Sequence, residues 1–193
     1  MAELADRLAQ DEVLCHSLAS SRGWEAPTIS ALANTRSLGW LDGDGKADGY
    51  ICFLYPNSVK TRALWRDGGP WRWSRPDGTR HIRWHWNGWP WNKLEVWREN
   101  KLGDPMRGRT IVVEGETDAI SLIDRGANDY ETDVVALPDA GIISALADRL
   151  PSIFRGLDVI LCPDTDAAGQ RAQASFIAAV RPAARTLEVV NHE

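Results

Sequence analysis

With 193 residues, 44 % of them hydrophobic and 25 % charged, the chain suits one to two small domains with a real core. No apolar run approaches the ~20 residues of a membrane span, and the acidic, amphipathic start MAELADRLAQDEV lacks the basic end and apolar block of a secretory signal. The net charge of −5 hides an asymmetry: residues 60–110 hold twelve Lys and Arg against five Asp and Glu, a net of +7, and the remainder carries −12. A basic middle beside an acidic remainder suggests one part for phosphate backbones and another for metal ions.

In chain order, Leu4, Leu8, Val13, Leu14 and Leu18 recur near helical spacing, which predicts a helix from Ala2 to about Ser20. A second short helix is expected from Pro27 through Ile29 and Leu32, since proline suits a first helical turn. The LDGDGKADG segment leads into the apolar run Tyr50–Tyr55, a strand after a turn. Its Asp42, Asp44 and Asp48 superficially resemble a calcium loop, but Ala47 and Phe53 stand where that loop needs glycine and glutamate. It reads as a solvated turn.

Residues 60–100 hold Trp65, Trp71, Trp73, Trp84, Trp86, Trp89, Trp91 and Trp97, interleaved with arginines. A Pro76-Asp77-Gly78 turn between two alternating stretches predicts a β-hairpin. Alternation puts Trp and Arg on opposite strand faces. Most of these tryptophans are therefore expected to form the core of a small β-rich subdomain; the competing reading has some of them stack on bases while arginines hold phosphates. Its arginine face, with Arg72, Arg80 and Arg83, is the candidate nucleic-acid surface.

From Thr110 short apolar strands alternate with helices. Ile111–Val113 is followed by a helix to about Arg125, Val134–Leu137 by a helix over about Ile142–Leu150, and Asp158–Cys162 by a long helix to about Val180; Thr186–Val190 is a last strand. That alternation predicts an α/β fold, a parallel sheet covered by helices. It follows a smaller α+β, Trp-rich subdomain, and the expected domains are 1–105 and 106–193.

In such sheets functional groups gather where strands end and helices begin. Those ends carry Glu114 and the pair Asp164 and Asp166, and Asp118 lies one helical turn after Glu114. Converging carboxylates repel one another unless cations bind them. Magnesium, or manganese in its place, is the natural cation, because it takes oxygen ligands and bridges to phosphates. Cys15, Cys52 and Cys162 are scattered, and no cysteine lies near the His81 and His85 pair. Neither a zinc site nor a disulfide framework is expected, which reads as a reducing cytoplasm.

The runs IVVEGETDAISLIDRG, VVALPDAG and LDVILCPDTDAAGQRA resemble the Toprim domain of bacterial primases and of phage and mitochondrial primase-helicases. That family's signature is a strand ending in EGxxD and a later strand ending in DxD before a small-residue helix start. Both stand here in order, as Glu114-Gly115-Glu116-Thr117-Asp118 and Asp164-Thr165-Asp166-Ala167-Ala168-Gly169. The resemblance covers residues 110–190 and is nearest the phage branch. It implies that Glu114 is the general base or acid, that Asp164 and Asp166 are metal ligands, and that Asp118 is a supporting acid. Gly115 and Gly141 would let backbone approach a phosphate.

The family's cysteine-rich zinc module, its further acidic motif beyond the last strand, a P-loop and a helicase motor do not occur in this sequence. The expectation is either a fragment of a larger replication protein or a compact stand-alone one, of phage or mobile-element type. The implied function is primer synthesis: metal-dependent transfer of ribonucleotides on single-stranded DNA, with a replicative helicase as a candidate partner and no membrane. The alternatives are phosphodiester cleavage of nuclease or topoisomerase type, and a non-catalytic module binding nucleic acid or a helicase. No tyrosine-bearing cleavage domain is evident around Tyr50, Tyr55 or Tyr130.

Overall fold

The computed structural model describes residues 1–66, 68–74, 84–87, 95–102, 108–139 and 143–190, the stretch 84–87 by its backbone alone. The expected Pro76–Gly78 turn, Arg80, Arg83, Gly141, Trp89 and Trp91 lie outside the described residues.

The chain forms two units, Met1–Trp89 and Pro90–Glu193. The first begins with α1 (Ala2–Gln10), α2 (Glu12–Ser20) and α3 (Ala26–Asn34). The single N-terminal helix expected from periodicity is two helices. Asp11 ends the first and caps the second, its carboxylate accepting from Leu14 N at 2.8 Å. This is the usual work of an aspartate at an N-cap. The break leaves Val13 80 % exposed while Leu8 and Leu18 are fully buried. Strands β1 (Leu38–Asp42), β2 (Gly49–Leu54), β3 (Val59–Leu64) and β4 (Trp84–Asn87) make an antiparallel sheet in that order. β2 is buried throughout, as its unbroken apolar run requires. In the turn between β1 and β2, Asp44 accepts from Tyr50 Oη and Lys46 N.

Trp65 and Trp71 are buried, and Trp71 packs on Trp40 at 4.9 Å. Trp73 is half-buried, held by Nε1 to Ser21 Oγ and stacked by the guanidinium groups of Arg22 and Arg62 at 4.8 and 4.6 Å. These tryptophans belong to the core and its rim, while Arg72 is exposed.

The second unit holds β5 (Arg109–Val113), α4 (Glu116–Asp124), β6 (Thr132–Ala136), α5 (Ile143–Leu146), α6 (Leu150–Ile153), β7 (Asp158–Cys162), α7 (Ala167–Val180) and β8 (Thr186–Val189). Its sheet is parallel, in the order β6-β5-β7-β8. The helix expected over 142–150 is instead two short ones, α6 starting at Leu150 with Pro151 in its first turn. Val112, Val134, Val135, Ile120, Phe154 and Phe176 are fully buried between sheet and helices.

The division at Trp89–Pro90 falls upstream of the 105/106 boundary expected from composition. The reason is the segment around Trp97. Trp97 is fully buried and exchanges backbone hydrogen bonds with Ala136, and Arg98 Nη1 donates to Val134 O. The segment therefore pairs along the open edge of β6 and shields it, as an edge strand requires.

Candidate active site

β5 is followed by a crossover to β6 on one side, and β7 by a crossover to β8 on the other. The chain direction thus diverges between the neighbouring strands β5 and β7, and such a switch point opens a crevice at the carboxyl ends of the two strands. Val113 is in register with Cys162, so the residues just beyond them face each other across that crevice. Glu114 Oε2 accepts from Asp164 N at 3.3 Å. The two halves of the sequence signature, 50 residues apart, meet in one hydrogen bond.

A cleft of about 200 Å³ opens there, lined by Val113, Glu114, Asp118, Ser121, Leu122, Arg125, Cys162 and Asp164. Glu114 is half-buried, and Asp118 and Asp164 are exposed. Removal from water pushes the Glu114 carboxyl above its ordinary range. The negative charge of Asp164 adds to this, with smaller contributions from Asp166 and Asp139, and the hydrogen bond from Asp164 N opposes it. Burial is the largest cause, and Asp139 is among the carboxylates that act on Glu114. Asp139, just past the end of β6, is the acidic residue that sequence reasoning missed. Its signal was the same pattern of an acid two or three residues past a buried strand.

Asp166 is the N-cap of α7, its Oδ1 accepting from Ala168 N at 2.9 Å and Gly169 N at 2.7 Å. One oxygen is thereby committed to the helix. Gly115 has φ −138° and ψ 147°, extended backbone open to any residue, so backbone conformation is not what calls for glycine there. A Cβ at Gly115 would instead stand 2.8 Å from Asp118 Oδ2 and push that carboxylate away. Gly169 matters more. Its missing Cβ makes room for the backbone of Asp164.

Residues 111–193 match the model of the Toprim-like family. The second unit carries a Toprim-like domain. No curated protein sequence matches the chain. Among solved structures, the primase fragment of the bacteriophage T7 primase-helicase protein has TM-score 0.62 and 19 % identity, over 90 % of this chain and 63 % of that one. A chain from the structure of bacteriophage T7 lagging-strand DNA polymerase, interacting with primase domains bound to an RNA/DNA hybrid and dTTP, has TM-score 0.60 and 19 % identity, over 88 % of this chain and 76 % of that one. At that identity the likeness is one of fold. The chain spans less than two thirds of the T7 primase fragment.

Among the described residues no group of three or more His, Cys, Asp or Glu side chains is placed to hold a metal ion. Glu114, Asp118 and Asp164 are nevertheless an all-oxygen set around one cleft. That set fits magnesium, which keeps several waters and completes its shell with substrate phosphates. Cys52, by contrast, is a packed thiol of the first unit, pushed up to about 12 by burial. Among the described residues no helix is long and apolar enough to cross a membrane.

Proposed function

We propose that this chain is the Toprim core of a primase or primase-helicase, joining ribonucleotides on single-stranded DNA in a magnesium-dependent nucleotidyl transfer. The observation that carries the reading is the hydrogen bond joining Glu114 to Asp164 at the switch point of the parallel sheet. Asp164, Asp166 through its uncommitted oxygen, and Asp118 would hold the cation. Bound there, magnesium would supply charge neutralisation for the phosphate oxygens and help to align the attacking and leaving oxygens.

The chain's own residues do the rest. Glu114, made more basic by partial burial, accepts the proton of the attacking hydroxyl; Oε2 is held by Asp164 N, which leaves Oε1 for the transfer. The backbone of Asp164, seated on Gly169, fixes the distance between base and metal ligand. Arg72, Arg80 and Arg83 would hold the template phosphates.

Cleavage through a tyrosine nucleophile fits less well. Tyr50 and Tyr55 are buried, and Tyr130 precedes β6, at the opposite strand ends from the cleft. The test is incubation with a single-stranded template, ribonucleotides and Mg²⁺ or Mn²⁺, with the products sized on a gel. Short RNA products support the reading. Shortened template with no RNA would replace it with a nuclease.

A further inference from the structure

The cleft of Glu114, Asp118 and Asp164 also holds a basic side chain, Arg125, to which the reading above gives no task. Asp118, Ser121, Leu122 and Arg125 follow helical spacing along one face of α4, and all four line the cleft. Arg125 is the C-cap residue of that helix, seven positions and therefore roughly 10 Å beyond Asp118 along the axis. Helical side chains lean back toward the N-terminus, so the exposed arginine borders the cleft at its far end. Among the described residues its guanidinium makes no ion pair and no hydrogen bond. A cation that lines a cleft of carboxylates without pairing to them is placed to meet an anion brought in from outside.

We infer that Arg125 holds the phosphate tail of the incoming nucleoside triphosphate, at the end of the cleft away from the metal-binding carboxylates. This rests on the proposed primase reading of the same site. Size favours the tail: the cleft measures about 200 Å³, below the roughly 300–1,000 Å³ of pockets that enclose a small organic molecule. It has room for phosphates while sugar and base stay outside. Shape favours them too, because the planar guanidinium grips two phosphate oxygens at once, which an ammonium cannot. A backbone phosphate of a nucleic-acid strand offers the same chemistry, so the experiment separates the two sources.

The whole chain, as wild type, Arg125→Ala, Arg125→Lys and the control Arg181→Ala, is titrated by calorimetry in the presence of Mn²⁺. The ligands are ATP, inorganic tripolyphosphate and a single-stranded oligodeoxynucleotide, and circular dichroism checks folding. Arg125→Ala should weaken ATP and tripolyphosphate alike by about tenfold or more, the weight of one charge-assisted contact. Arg125→Lys should fall between, and Arg181→Ala should bind as wild type. Mn²⁺ and oligonucleotide affinities should not move. Unchanged tripolyphosphate affinity in Arg125→Ala, with Mn²⁺ still bound, overturns the inference and leaves the primase reading standing. A loss confined to the oligonucleotide overturns it in favour of a strand phosphate. If wild type itself binds Mn²⁺ but neither triphosphate, the reading of the site fails and the inference with it. Should Arg125→Ala fail to fold, Arg125→Lys decides: affinity equal to wild type for both triphosphates rejects the bidentate grip.

Discussion

Gly169, in the first turn of α7, lies directly against the backbone of Asp164. A Cβ on Gly169 would overlap the Asp164 carbonyl oxygen and stand 2.8 Å from its carbonyl carbon and 2.9 Å from its Cβ. Backbone cannot swing aside as a side-chain tip can. Gly169→Ala should therefore move Asp164 and cost about 1–3 kcal/mol, the usual penalty of overpacking. Denaturant unfolding measures the loss, and Mn²⁺ affinity should fall with it. Wild-type stability in the alanine variant would show that the loop has slack.

Asp166 carries two tasks that substitution can separate. Asp166→Ala removes the α7 cap and should cost about 1 kcal/mol, a fall of about 2–4 °C in Tm for a chain of this size. Asp166→Asn keeps a good capping side chain and removes the charge, so Tm should hold while Mn²⁺ affinity drops. If asparagine leaves Mn²⁺ binding intact, Asp166 is a helix cap and not a ligand.

Glu114→Gln should lower primer synthesis by about 10²-fold or more, the weight of general acid–base help. Single-strand binding should survive, because the basic surface is elsewhere. Rates near wild type at matched folded concentration would remove Glu114 from the chemistry.

The same substitution has a pH signature without metal. The Glu114 carboxyl is raised above its ordinary 4.5, chiefly by burial. The folded state therefore binds the proton more tightly than the unfolded one, and stability declines as pH rises from 4.5 through the folded value. Above that window Glu114→Gln should melt higher than wild type; below it the two should converge. Thermal melts from acid to neutral pH in chelator test this, and a constant difference would reject it.

Binding of single-stranded DNA should weaken steeply from low to moderate salt, because the net +7 of residues 60–110 works by releasing counterions. Replacing Arg72, Arg80 and Arg83 together by alanine should flatten that dependence. A flat response in wild type would leave the basic segment without this role.

The sequence by itself determined the strands of the second unit, the helices after β5 and β7, and the two acidic signatures at their junctions. A buried parallel strand is a short apolar run, and its end is marked by the first charges after it. Such signals are local. The strand order was not local: nothing in Ile111–Val113 states that its neighbour is Asp158–Cys162. Only the folded sheet brought Glu114 to the amide of Asp164 and placed Asp139 close enough to act on it. The role of Gly169 also waited for the fold, because it depends on which backbone passes over the helix start. Trp97 looked like one more tryptophan of the Trp-rich segment, yet it pairs with Ala136 on the edge of β6. Composition reports which residues are near in the chain, while burial and edge pairing depend on which surfaces meet.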